Sequence, residues 1–143
     1  MPQEIAPENA GYLLRKTTPA GLWASPRLSQ VVEVQHARMI YLAGQTAADA
    51  NYRVASNDFR AQMHAVFDNI ALALASVGAG LEHIVKTTTY LTDARNRDAM
   101  REVRAQRLGH LAAPPANTAL VVQSLIEPEF LIEIDVVAAI PLG

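Results

Sequence analysis

Cysteine is absent from this chain of 143 residues. That excludes disulfides, thiolate metal sites and cysteine nucleophiles. A large excess of charge of one sign is also missing: the net charge is -2 and no basic block occurs, so no nucleic-acid partner is expected. No apolar run approaches the roughly 20 residues that span a bilayer, so no membrane association is expected. The opening Met1-Pro2-Gln3-Glu4-Ile5-Ala6-Pro7-Glu8-Asn9 is polar and acidic, unlike a secretion signal, and the reading is a cytoplasmic protein. His36, His64, His83 and His110 are scattered without ligand spacing, so no metal site is expected. A Gly-rich phosphate loop, a His-x-x-x-His pair and a Gly-x-Ser-x-Gly elbow are all lacking.

What is present is an ordinary globular balance, with half of the residues hydrophobic and 18% charged. The length suits one domain over 1–143, with residues 1–11 as a flexible arm. Tyr12 to Thr17 suits a short strand. Trp23 lies in a loop punctuated by Pro19, Gly21, Ser25 and Pro26 and reads as a packing anchor first and a ligand wall second. Ser29 to Val34 and Met39 to Leu42 read as an antiparallel hairpin turning near His36. The clearest helix follows, capped by Ser56 or Asn57 and carrying Phe59, Met63, Val66, Phe67, Ile70, Leu74 and Val77 at helical spacing. Gly78 and Gly80 stop it. Glu82 to Thr92 has high strand propensity, with Lys86 read as solvent-facing. A second helix begins within Asp93 to Asp98, includes Met100, Val103, Arg104, Arg107 and Leu108, and ends at Gly109; its charged residues read mostly as its wet side.

The last stretch carries the chemistry. Pro114 to Leu125 and Phe130 to Ala139 flank a turn at Ile126-Glu127-Pro128-Glu129 and read as a second hairpin. Alternation in the final strand sets Leu131, Glu133, Asp135 and Val137 on one face and Ile132, Ile134 and Val136 on the other. Two carboxylates thus project from one side of an apolar strand, either as a solvated face or as a water-orienting group in a cleft. The order is β, ββ, α, β, α, ββ, an α+β fold in two layers with a mostly antiparallel sheet and two helices on one face. Arg27, Asn117, Glu133 and Tyr90 are the cleft-sized set of candidates; by themselves they name no reaction.

Several segments together resemble the reactive intermediate deaminase family (RidA/YjgF, also called the L-PSP endoribonuclease family). They are Ser29-Gln30-Val31, Ile40-Tyr41-Leu42-Ala43-Gly44-Gln45, Asp68-Asn69-Ile70, Ser76-Val77-Gly78-Ala79, Ile84 to Leu91, Pro115-Ala116-Asn117-Thr118-Ala119 and Leu131-Ile132-Glu133-Ile134-Asp135. They come in the family's order and spacing over roughly residues 25–139. The resemblance implies a chorismate-mutase-like fold, a homotrimer with clefts between subunits, and cofactor-free hydrolysis of an imine or enamine to a keto acid and ammonia. It implies that Glu133 is the glutamate that positions water and that the backbone near Gly44 lines the site.

Elsewhere the chain departs from the family pattern. Asn117 stands where an arginine normally grips the substrate carboxylate, and an amide supplies neither that charge nor the two-pronged contact. Ala43 and Ala119 replace polar positions, and Arg27 follows Pro26 where a tyrosine is usual. One reading is a re-tuned cleft: Arg27 anchors an anion, Asn117 offers amide hydrogen bonds, Glu133 acts as base, and the substrate is non-classical. The other is a trimer that has lost the chemistry and binds a small molecule or acts as a regulatory or chaperone-like partner. The ribonuclease label fits least, because no basic surface interleaved with aromatics exists.

Overall fold

The computed structural model describes residues 10–143, so nearly all of the arm expected over 1–11 lies outside the described residues. The elements are β1 (Leu13–Thr17), β2 (Val31–Gln35), β3 (Ala37–Tyr41), α1 (Phe59–Ala75), β4 (Ile84–Leu91), α2 (Arg97–Leu108), β5 (Ala116–Val121) and β6 (Ile132–Pro141). Strands β1 and β2 form a separate antiparallel ribbon, and the main sheet has the order β3-β6-β4-β5. Within that sheet β3–β6 and β6–β4 are antiparallel, whereas β4–β5 is parallel. Both helices contribute to one apolar core with Ile132, Ile134 and Val136 of β6, so the fold is α+β in two layers, as expected.

Neither expected hairpin forms. His36 alone joins β2 to β3, at φ 48°, and one residue is too short to fold a strand back on its neighbour. The chain instead bends there and passes from the ribbon into the main sheet. At the other end, α2 carries the chain across the sheet, so β5 enters parallel to β4. β6 then takes the opposite side of β4, and residues 122–131 are a connection rather than a tight turn. Neighbouring strands on both sides make β4 and β6 the inner strands of the sheet, which a pattern along one strand does not reveal.

Helix α1 follows the expected stripe through Leu74, with Phe59, Met63, Val66, Phe67, Ile70 and Leu74 buried, whereas Val77 falls beyond its end and is exposed. Its cap is Asp58 rather than Ser56 or Asn57: the Asp58 carboxylate accepts the Ala61 N–H. One polar residue lies within the stripe. Gln62 is 1% exposed; its Nε2 donates to the Ser56 and Glu129 carbonyls and its Oε1 accepts the Leu131 N–H. It therefore ties the start of α1 to the approach of β6. Gln62→Leu would leave three backbone groups without partners, and a loss of about 2–4 kcal/mol in denaturant unfolding is expected despite the added apolar surface. A stability equal to wild type would show that those backbone groups find water.

Candidate functional site

On the sheet face away from the helices, β6 presents Glu133 and Asp135, as alternation predicts, and both are half-buried. Tyr90 of β4 stands opposite Glu133, and its hydroxyl donates to Asp135 Oδ2 at 3.3 Å. After β3 the chain keeps running beside β6: the Leu42 N–H donates to the Val136 carbonyl and the Gln45 N–H to the Ile134 carbonyl. Between these bonds Ala43 and Gly44 stand opposite the single residue Asp135, a bulge that presses the backbone toward the carboxylates. A Cβ on Gly44 would lie 2.8 Å from Glu133 Cδ, so glycine is what lets the Glu133 side chain occupy this place. Burial, then the Asp135 charge, raises the Glu133 carboxyl above its ordinary value. Desolvation and the two carboxylates raise the Tyr90 phenol as well.

Asn117 and Ala119 face the other way. Their β4 partners are Thr87 and Thr89, which are buried on the helix side. The hydroxyls of both threonines donate to Asn117 Oδ1, at 2.8 and 3.1 Å. Thr87 in turn accepts from Arg104 Nη1 at 3.2 Å, so a short relay links α2 to Asn117. Arg104 is 5% exposed. It is not on the wet side of α2: it falls on the buried stripe with Met100, Val103 and Leu108. That spacing is the signal for its burial in the sequence, and its charge obscures it. Arg27 is half-buried and its carbonyl accepts from Arg104 Nε at 3.2 Å. A cavity of about 170 Å³ opens here, lined by Trp23, Arg27, Met100, Arg104, Asn117 and Ala119 among others. Trp23 is 61% exposed and walls this cavity, so it is not a packing anchor in the isolated chain.

The expected site residues thus fall into two groups. Glu133, Gly44 and Tyr90 meet, with exposed Ala43 beside them; Asn117, Ala119 and Arg27 meet around Arg104. Within one chain the two groups lie on opposite faces of the sheet, the second toward the β5 edge and the first toward the β3 side. Among the described residues no group of three or more His, Asp or Glu is placed to hold a metal ion, and no helix is long and apolar enough to cross a membrane.

Comparison with known proteins gives a consistent picture. The model of the endoribonuclease L-PSP family matches residues 20–140. Protein DfrA of Myxococcus xanthus is 32% identical over 111 residues, covering 77% of this chain and 82% of its own. A RutC family protein of Pyrococcus abyssi is also 32% identical over 111 residues, covering 77% of this chain and 84% of its own. Among solved structures, the Rid-family protein YyfB of Yersinia pestis, itself of unknown function, superimposes with a TM-score of 0.80 at 32% identity, over 89% of this chain and 98% of that one.

Proposed function

The chain belongs to the endoribonuclease L-PSP (RidA/YjgF) family, and from that premise we propose that it is a cofactor-free, deaminase-type hydrolase acting on a reactive imine or enamine in a cleft between subunits. One observation carries the reading. A half-buried carboxylate with a raised pKa, Glu133, sits against a backbone bulge at Gly44, while the second group of polar residues opens at the other side of the same sheet. Head-to-tail association joins such complementary sides of neighbouring copies, and a closed ring of three satisfies all of them. The surface between supports this, since Tyr41 and Leu120 are 73% and 42% exposed on the sheet face that carries Glu133.

In that cleft Glu133 takes a proton from water as the oxygen attacks the C=N carbon, and the nitrogen gains a proton. The resulting carbinolamine then loses ammonia, leaving a carbonyl compound. Asn117 and Tyr90 orient the substrate, and Ala43 and Ala119 keep the pocket apolar. Arg27 lines the same cavity, where it is a further cation for the substrate, and its carbonyl accepts from Arg104 Nε.

The base must be ionised, and its folded pKa is raised. The acidic limb of kcat/KM is therefore expected above the ordinary glutamate range, with rate falling as pH drops through it. Asp135→Asn removes the like charge and is expected to move that limb to lower pH. A limb in the same place for both proteins would mean that Asp135 does not tune Glu133. The primary test is ammonia release from enzymatically generated 2-iminopropionate and other amino-acid-derived imines. Release above the spontaneous rate supports the reading; silence across the series, with ligand retained, would favour a non-catalytic binding trimer.

A further inference from the structure

Arg104 is a buried cation with no counter-ion among the described residues. Its Nε and Nη1 meet only neutral acceptors, the Arg27 carbonyl and the Thr87 hydroxyl, and its Nη2 is buried with no hydrogen-bond partner among the described residues. Burial lowers its pKa to about 10, which leaves the guanidinium charged at neutral pH. A buried charge in this state is costly unless an anion completes its shell. The cavity beside it adds Arg27 and Arg101 to its lining and no carboxylate. Arg101 has an exposed partner, Asp98, at 3.7 Å; Arg104 has none among the described residues. Thr87 accepts from Arg104 and donates to Asn117 Oδ1 at 2.8 Å, the nearer of its two acceptors (the Ala116 carbonyl lies at 3.5 Å), which leaves the Asn117 Nδ2 donor for a ligand. Trp23, Leu28 and Met100 make the rest of the wall apolar.

We propose that Arg104, delivered from α2, is the anion anchor of this cavity, and that the ligand is a small carboxylate whose apolar body lies against Trp23 and Met100 with Asn117 Nδ2 as second donor. The charge missing from position 117 is thereby supplied from a different element of the fold. The inference deepens the hydrolase reading by naming its substrate class; it rests on that reading for the chemistry after binding but not for binding itself.

The test compares 3-phenylpropanoate with its primary amide, equal in shape and different in charge, by calorimetry and by NMR of protein carrying ¹⁵N-labelled arginine. The acid is expected to bind at least about tenfold tighter than the amide and to shift the Arg104 guanidinium resonances. Arg104→Met is expected to abolish that preference. Should it fail to fold, Asn117→Asp serves: it sets a resident carboxylate one threonine away from Arg104, and is expected to keep or raise Tm while weakening the acid at least about tenfold. Equal binding of acid and amide, no binding of either, or acid binding untouched by Asn117→Asp would overturn the assignment. The probe has no C=N bond, so the two readings fail separately. Acid-selective binding with no ammonia released from any imine would sink the hydrolase and keep the anchor; ammonia release without acid selectivity would do the reverse.

Discussion

Glu133→Gln is expected to lower imine hydrolysis by about 10²–10⁴-fold, the usual contribution of a positioned general base. The amide keeps the shape and the place beside Gly44, but cannot accept the proton that water gives up. Stability should not fall with it. The folded-state pKa of Glu133 is raised, chiefly by burial and then by Asp135, so the folded protein binds the proton more tightly than the unfolded chain. Its contribution to stability is then best at low pH and declines as pH rises through the window between the ordinary and the raised value. Above that window the ionised carboxylate opposes folding, and the neutral amide removes the opposition. Thermal unfolding at neutral pH is expected to give a Tm equal to or above wild type. Turnover at the wild-type rate would remove Glu133 from the mechanism; a collapse of Tm would make its role structural.

The second large effect is expected from the face that carries the carboxylates. Tyr41 on β3 and Leu120 on β5 lie at the two edges of the main sheet and share the side opposite the helices. The double variant Tyr41→Glu, Leu120→Glu would place charges in any interface that covers this face, at a cost of several kcal/mol per desolvated charge. It is expected to sediment as a monomer with turnover reduced at least about 100-fold, because each copy then holds only half a site. Binding of 3-phenylpropanoate should survive, since Thr87, Arg104 and Asn117 belong to one chain. A monomer that still turns over would show that one chain is sufficient.

The layers of this fold are legible in the sequence because each depends on a period. The stripe of α1 and the alternation in β6 need only spacing, and the placement of Glu133 and Asp135 on one face follows directly. Pairing is not legible. Nothing in β5 or β6 records that β4 lies between them, and one residue at His36 decides that β2 and β3 part company. The site is half legible for a similar reason. Gly44 and Glu133 are expected from the resemblance, and the bulge that brings them together is a matter of tertiary contact. Arg104 escapes a reading by charge: it recurs with Met100 and Leu108 at helical spacing, which marks burial whatever the side chain. Arg27 draws attention instead, since it adjoins a departure from the family pattern; in the fold it is the carbonyl, not the guanidinium, that engages the relay.

The central claim is that one site is built from two chains, with Glu133 from one and Arg104 from the next. Subunit mixing tests it most directly. Glu133→Gln and Arg104→Met proteins, each inactive alone, would be co-refolded at equal concentration and assayed for ammonia release from an imine. A site needs the first chain's intact arginine and the second chain's intact glutamate, so random assembly should restore about a quarter of the wild-type activity per subunit. Activity no higher than either variant alone, in a mixture shown by native mass spectrometry to contain mixed trimers, would contradict the shared site.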